Sequence, residues 1–282
     1  MKTKTRSISI SSPFVADDLS ALDSEQTLVV VFGPSQMLDD SNLISSVADA
    51  FPHSHLIGCS TSGEIVGTTI SDNTLAIGVC RFSDSELKTT VAPVASSADS
   101  FGAGEMIARE LAGPSLRSVF VLSDGLNVNG SELVRGLNSV LPEEVVVTGG
   151  LAGDGDRFVR TWVLSGGRPM SGHVCAVGLS GDRLLVGHGS KGGWDIFGPE
   201  RRVTRSKGNI LYELDGKPAL EIYKQYLGDR ASGLPSTALR FPLALRYDKD
   251  AEKQVVRTIL GVDEDSQAMV FAGDVPEGCF AQ

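Results

Sequence analysis

The sequence predicts an α/β fold: an internally duplicated N-terminal region of mixed β-sheets flanked by helices, followed by a partial α+β C-terminal domain. Duplication is indicated because two apolar runs each lead through a polar loop and a helical pattern into another apolar run that ends in a glycine-rich turn. Val30 is as far from Val121 along the chain as Gly58 is from Gly149. Beyond about residue 189 the pattern changes to turn-rich segments with aromatic and basic residues, which indicates a separate domain.

The first repeat is assigned to residues 27–95. Apolar residues at helical spacing predict a helix over about residues 42–50. A strand after this helix leads into the turn at 58–64, which is rich in small residues. Residues 74–82 and 87–94 are predicted to pair as an antiparallel hairpin that closes the repeat.

The second repeat, residues 117–190, follows the same plan. Its helix is predicted over about residues 130–140, and its closing hairpin pairs residues 173–179 with residues 183–189. The interval before this hairpin is longer than in the first repeat, and an added strand is predicted there at residues 158–164.

Two further regions complete the chain, an N-terminal extension at residues 1–26 and the partial C-terminal domain at residues 191–282. In the latter, glycine and proline mark a hairpin turn, a helix start and a helix end. The expected elements are a hairpin of 203–206 with 210–214, a helix over 218–227, and strands at 241–247 and 255–262.

Composition narrows the classes of function. The chain has 282 residues and a net charge of −10, which disfavours a nucleic-acid binder because phosphate contacts need basic surfaces. Its four cysteines lie far apart and form no C-x-x-C pair, so no metal site is predicted. No run is long and apolar enough to span a membrane or serve as a signal peptide. We therefore expect a soluble cytoplasmic protein.

Several ordered blocks of the sequence resemble the FIST family. The chain is similar to that family from about Val29 to Gly278, and the resemblance is carried by residues 58–65 (GCSTSGEI), 149–155 (GGLAGDG), 193–220, 241–243, 256–257 and 271–278. Family members usually continue well beyond the last residues seen here, so the C-terminal domain is expected to be truncated.

The resemblance implies a sensory input module of bacterial signal transduction. Such modules are often fused to or encoded beside histidine kinases, diguanylate cyclases or chemoreceptors, as in two-component systems. Amino acids and similar small molecules have been proposed as ligands, and one branch of the family resembles haem-binding nitric oxide sensors. The resemblance carries no enzymatic activity, and none is predicted.

The two glycine-rich turns are the main candidates for ligand contact. Small residues let backbone N–H groups approach an anion, and hydroxyls add donors and acceptors. The alternative is that these groups cap the backbone of their own turns. The candidate residues are Gly58, Cys59, Ser60, Thr61, Ser62, Gly63, Glu64, Gly149, Gly150, Gly153 and Asp154, with Glu64 and Asp154 able to bind an ammonium group or to act as caps.

Two residues of the following segment complete the candidate ligand site. Trp194, with Phe197, could form the wall of a pocket or could hold the two domains together. Arg205 could join a polar cluster with Glu213 and Asp215 or serve the fold alone.

Two chemical alternatives remain open at this stage. Cys59 or Ser60 could act as the nucleophile of a hydrolase if a base such as His53 or His55 lay within hydrogen-bond reach. His188 could ligate haem, although a lone histidine between glycines is more often a surface residue.

Overall fold

The apolar runs at residues 28–32 and 119–122 each form a strand that has neighbouring strands on both sides. A computed structural model describes residues 1–16, 18–189, 192–248 and 254–282. It separates into two units, the first comprising Met1–Val128 and Leu133–His188 and the second Asn129–Glu132 and Gly189–Gln282. The predicted domain boundary at residues 190 and 191 lies outside the described residues.

The first unit contains twelve strands and, with the helix that begins at Gly130, three α-helices in its described part. In chain order they are β1 (Lys2–Ser9), β2 (Thr27–Gly33), α1 (Asn42–Asp49), β3 (His55–Ser60), β4 (Glu64–Val66), β5 (Thr69–Ser71), β6 (Thr74–Arg81), β7 (Glu86–Pro93), α2 (Ser100–Leu111), β8 (Leu116–Ser123), α3 (Gly130–Asn138), β9 (Val146–Leu151), β10 (Val163–Ser165), β11 (Arg168–Met170) and β12 (His173–Ser180). The helices predicted near residues 42 and 130 are confirmed as α1 and α3.

The two main sheets of the first unit arrange their first four strands in the same pattern of directions. The first sheet runs β1-β6-β2-β3-β10-β11 and the second β7-β12-β8-β9, while β4 and β5 pair separately. In both sheets the first two neighbouring pairs are antiparallel and the third is parallel. Residues 1–26 were expected to be an extension, but they contain β1, which pairs with β6 at the edge of the first sheet.

The predicted closing hairpins were wrong. β6 and β7 lie in different sheets because both edges of β6 are occupied, by β1 and by β2. Likewise β7 and β8 occupy both edges of β12, and residues 183–189 form no strand. The added strand of the second repeat is β10, which begins later than predicted, while Phe158 has a φ of 53° that an extended strand does not adopt.

The cores of the first unit show four layers in the order helix, sheet, sheet, helix. Alternate residues of β2 serve two cores: Val29 and Val31 pack with α1, whereas Leu28 packs between the two sheets. On the far side of the second sheet, α2 and α3 bury residues such as Ile107 and Leu137. Burial on both faces explains why the central strands are continuous apolar runs rather than alternating ones. The α/β class is therefore confirmed.

The second unit combines one large sheet with one α-helix in its described residues. Its elements are β13 (Arg201–Lys207), β14 (Ile210–Leu214), β15 (Lys217–Pro218), α4 (Ala219–Leu227), β16 (Leu243–Arg246), β17 (Val255–Arg257), β18 (Ile259–Asp263), β19 (Ala268–Phe271) and β20 (Phe280–Ala281). The sheet order is β17-β16-β20-β13-β14-β19-β18, with β15 paired to β14. The predicted hairpin is confirmed by the pairing of β13 with β14, and the predicted helix by α4.

The helix α4 packs against this sheet through one apolar face. Leu220, Tyr223 and Leu227 belong to the same buried core as Leu211 and Met269 of β14 and β19. Gly228 ends the helix with a φ of 57°, a left-handed conformation that glycine adopts without steric cost. Within the described ranges, none of the helices has the length and apolar character needed to cross a membrane.

Candidate functional site

The first glycine of each predicted turn is required by close backbone packing. Gly58 faces Val31 across β2 and β3, and Gly149 faces Val121 across β8 and β9. A Cβ atom would lie 2.0 Å from the Val31 carbonyl oxygen at Gly58 and 1.7 Å from the Val121 carbonyl oxygen at Gly149. No carbon fits at such distances, so these two glycines are explained by the fold without any ligand.

Cys59 follows Gly58 in β3 and is only 3% exposed, in the core between the two sheets. Burial, with a smaller contribution from the nearby Cys175, raises the pKa of the Cys59 thiol to about 12. Thiolate is the reactive form of cysteine. This environment therefore favours the buried-hydrophobe interpretation of Cys59 over the nucleophile interpretation.

The hydroxyls of the first turn are engaged within the first unit. Ser60 Oγ accepts a hydrogen bond from the backbone N–H of Trp162 at 3.1 Å, and Thr61 Oγ1 donates to Glu64 Oε1 at 2.8 Å. Glu64, only 2% exposed, also accepts hydrogen bonds from the backbone N–H and the hydroxyl of Thr74. These contacts fit the capping interpretation, and Gly63, with a φ of 148°, permits the turn itself.

The two turns lie against each other. The Gly153 N–H donates to the Ser60 carbonyl at 2.8 Å, and the Gly155 N–H donates to Ser62 Oγ at 3.0 Å. A Cβ at Gly153 would lie 2.6 Å from Ser62 Oγ. Gly150 alone among these glycines has open space around it. The turns thus fill the region between them with their own atoms.

Asp154 holds the second turn through several hydrogen bonds. It is 5% exposed, pairs with Arg157 at 2.8 Å, and accepts from the backbone N–H groups of Val159 and Arg160. Burial alone would raise its pKa, but hydrogen bonds from Ser35, these backbone groups and Arg157 outweigh burial and lower the pKa. The carboxylate is therefore ionised and internally satisfied at neutral pH.

A third buried acid was not singled out from the sequence. Asp124, 1% exposed, accepts hydrogen bonds from the N–H groups of Leu126, Asn127 and Gly172 and from the Thr161 hydroxyl. Its position directly after β8, before Gly125, was the available signal. The number of local donors makes it a loop-organising residue.

The second unit contains a cavity of about 500 Å³. Its walls are mainly aliphatic and aromatic, and they come from α4, from β14, β16 and β19, and from the irregular segment 194–199. The apolar side chains include Leu214, Ile222, Tyr223, Tyr226, Leu227, Phe241, Leu243 and Met269. Tyr223 donates its hydroxyl to the Phe241 carbonyl at 2.8 Å, and burial raises the pKa of this phenol.

Charged residues also line this cavity. Three arginines and one aspartate occur among the described residues that line the cavity: Arg201, Arg230, Arg240 and Asp195. Arg230 and Arg240 come from two short 3₁₀ helices, Gly228–Gly233 and Ser236–Arg240. The guanidinium of Arg230 lies 5.8 Å from the centre of the Phe241 ring.

Arg201 is the most constrained of the three arginines. Its Nη1 pairs with Asp215 Oδ2 at 3.0 Å, and its Nη2 donates to the Tyr226 hydroxyl at 3.0 Å. Its Nε is buried and has no hydrogen-bond partner among the described residues. An unpaired buried donor costs about 1–3 kcal/mol.

The predicted site residues therefore fall into two groups. Trp194 lines the cavity and is 53% exposed, whereas neither glycine-rich turn contributes to its walls. Arg205 does not line it either: its guanidinium pairs with Glu213 at 2.9 Å and stacks 4.8 Å from the Tyr212 ring. The residues of the turns are packed against one another and β14 side chains engage Arg205, so ligand contact by the turns and by Arg205 stays a prediction.

The haem candidate His188 is exposed and lies outside regular structure. A Cβ added at its neighbours Gly187 or Gly189 would meet nothing within 4 Å. No histidine occurs among the described residues that line the cavity. These surroundings do not fit a haem held through His188, which needs apolar walls around the ring. The described residues also include no group of three or more His, Cys, Asp or Glu side chains suited to a metal ion.

Comparison with known proteins gives two family matches that cover most of the chain. The model of the FIST N domain matches residues 27–217, and the model of the FIST C domain matches residues 219–282. An uncharacterized protein of the archaeon Methanocaldococcus jannaschii is 33% identical over 89 residues, which is 30% of this chain. The aligned part spans only 16% of that archaeal protein.

Proposed function

Because this chain belongs to the FIST family, we propose that it is a sensory module that binds a small organic molecule in the cavity of its second unit. FIST domains are sensory domains of signal transduction. Sensing requires that a ligand bind one conformation more tightly than another, so that binding shifts their populations. No chemical step is needed, and we propose that the protein is not an enzyme.

The cavity is the observation that carries this proposal. Small-molecule sites are usually concave, have volumes of roughly 300–1,000 Å³, and combine apolar walls with a few polar groups. The cavity of about 500 Å³ in the second unit has these features. The glycine-rich turns, which the sequence favoured, support the proposal less well because their polar atoms are hydrogen-bonded internally.

The output of such a module is a change in a partner protein. Following the family resemblance, we propose that the partner is a histidine kinase, a diguanylate cyclase or a chemoreceptor in a two-component or related pathway. The place of action would be the cytoplasm, where the four cysteines, all free in the structure, stay reduced.

Binding of an uncharged apolar probe tests whether the cavity accepts a guest. N-phenyl-1-naphthylamine becomes fluorescent in apolar surroundings, and we expect saturable binding with a Kd in the micromolar range. Leu243→Trp should weaken this binding at least fivefold, because Leu243 lines the cavity and a larger ring would occupy its space.

The matched control is Ile70→Trp, the same kind of enlargement at a residue of β5 that is 73% exposed. Circular dichroism should show that both variants fold. Probe binding that is absent in the wild type, or equal in the wild type and Leu243→Trp, would contradict ligand binding in this cavity.

A further inference from the structure

We infer that the natural ligand is a small organic anion, a carboxylate or similar acid group on an apolar body that bears a ring or branches. This inference rests on the proposed function and specifies the chemistry of the same cavity. It follows from the walls, from the balance of charge around them, and from the geometry of Arg201.

The aromatic walls of the cavity indicate that the body of the ligand is apolar. Aromatic side chains from three places in the chain face the cavity: Trp194, Tyr226 and Phe241 are among its lining residues. Aromatic rings bind other rings and branched groups through large buried contact areas. A highly polar ligand such as a sugar would leave its hydroxyls without partners against these walls.

The charges of the residues that line the cavity indicate the charge of the ligand's polar group. Among the described lining residues, three guanidiniums stand against a single side-chain carboxylate, that of Asp195. Arg201 is already paired with Asp215, but in the described part of the chain neither Arg230 nor Arg240 lies within ion-pair distance of a carboxylate. The side chains that line this apolar cavity therefore carry more positive than negative charge, in a chain whose net charge is −10.

Two of the guanidiniums are held in fixed positions, which favours a ligand that carries a discrete acid group. Arg201 and Arg230 each lie over an aromatic ring, Tyr226 and Phe241 respectively, at 5.7 and 5.8 Å from the ring centres. Stacking of this kind fixes a guanidinium before the ligand arrives, which lowers the entropy cost of binding. The guanidinium of Arg201 is held further by its ion pair with Asp215 and its hydrogen bond to the Tyr226 hydroxyl.

A series of probes that share one ring separates charge from shape. The compounds are 3-phenylpropanoate, 3-phenylpropanamide, 2-phenylethylamine and phenylalanine, which carry a negative, a neutral, a positive and a zwitterionic polar end. Each is tested for displacement of N-phenyl-1-naphthylamine at neutral pH. We expect the carboxylate to displace the probe at a concentration at least tenfold lower than the amide, and the amine to be weakest.

The arginines are tested by the double variant Arg230→Gln/Arg240→Gln. It should bind the carboxylate and the amide with affinities within about twofold of each other, while the affinity for the amide changes little. The matched control is Arg202→Gln/Lys217→Gln, which removes two exposed positive charges from the same unit outside the cavity lining. This control should keep at least half of the wild-type preference for the carboxylate.

The outcomes distinguish this inference from the proposed function. Equal binding of carboxylate and amide by the wild type would overturn the anion inference while probe binding still supports the sensory cavity. Tightest binding of phenylalanine would also overturn it, because a zwitterion would then be the favoured class. Absence of binding by every compound, including the naphthylamine, would contradict both.

Discussion

The guanidinium of Arg201 donates a hydrogen bond to the Tyr226 hydroxyl at 3.0 Å and lies 5.7 Å from the centre of the same ring. One tyrosine thus holds the arginine through both its polar tip and its face, at the wall of the cavity. The guanidinium of Arg201 is consequently held in place where the ligand is proposed to bind.

We predict that Tyr226→Ala weakens binding of 3-phenylpropanoate about tenfold, whereas Tyr226→Phe weakens it about two- to threefold. The alanine variant loses the ring contact with the ligand and the stacking on Arg201, together about 1–2 kcal/mol. The phenylalanine variant loses only the hydroxyl. Displacement of the naphthylamine measures both, and equal effects of the two substitutions would show that the ring itself is unimportant.

Backbone packing at the glycine-rich turns leads to a prediction about stability. Gly149→Ala should lower the free energy of unfolding by about 3 kcal/mol, since its Cβ would overlap the Val121 carbonyl oxygen and its φ of 154° disfavours any side chain. Gly150→Ala is the control in the adjacent position, where a Cβ meets nothing within 4 Å. Urea denaturation of both variants checks the difference, and a Gly149→Ala protein as stable as Gly150→Ala would contradict the packing argument.

The buried carboxylate of Asp154 should make stability depend on pH. Its pKa in the folded protein is below the ordinary value, because its hydrogen bonds outweigh the effect of burial. Its contribution is therefore complete above the ordinary pKa of an aspartate and is lost as the pH falls through the lowered value. Asp154→Asn should be less stable by about 2 kcal/mol at neutral pH.

The sign of this effect is tested by unfolding at several pH values. Between about pH 6 and pH 3, Asp154→Asn should lose less stability than the wild type, because it lacks a group that becomes protonated. Glu143→Gln, at an exposed position, is expected to follow the wild-type profile. A steeper acid dependence in Asp154→Asn would contradict the assigned direction.

The sequence sufficed for those elements that depend on local patterns. The helix Asn42–Asp49 followed from apolar residues at helical spacing, and the end of α4 from Gly228. The choice of partner for β7 could not be predicted, because it depends on which strands already occupy the edges of β6. Competition between strands for the same edge is a property of the assembled sheet, so the residues of one strand do not reveal its partner.

The candidate site shows the same limit. Trp194 was found from the sequence because an aromatic residue among glycines is conspicuous. Arg230 and Arg240 were not, since they lie in two separate 3₁₀ helices and line the same cavity as Arg201 of β13 only in the folded unit. Their distances along the chain match no motif spacing, and only the shared cavity identifies them as a set.

The buried thiols of Cys59 and Cys175 are predicted to be inert in the native state. Burial raises the pKa of Cys59 and of Cys175 to about 12, and both side chains are 3% exposed. Treatment with iodoacetamide followed by mass spectrometry should leave both unmodified, while the half-buried Cys80 reacts first. All four cysteines should react in concentrated guanidinium chloride. Rapid native modification of Cys59 would revive the nucleophile hypothesis.

Haem binding through His188 is the last hypothesis that the structure makes testable. His188 is exposed and flanked by glycines with open space around them. The three other histidines are hydrogen-bonded through Nδ1: His53 with Asp23 at 2.8 Å, His55 with the Thr89 hydroxyl at 3.5 Å and His173 with the Ser171 carbonyl at 2.6 Å. A haem iron needs an axial ligand together with apolar walls, and in the described residues none of the four histidine side chains lines the apolar cavity.

Addition of haemin should therefore produce the same absorption spectrum in the wild type and in His188→Ala, with His53→Ala as the control for a second exposed histidine. Because the cavity walls are apolar, haemin could still displace the naphthylamine probe by entering the cavity without histidine ligation. Recording displacement and absorption together separates these two events. A Soret band that disappears in His188→Ala but persists in His53→Ala would overturn the prediction and show that His188 acquires apolar walls when haem binds.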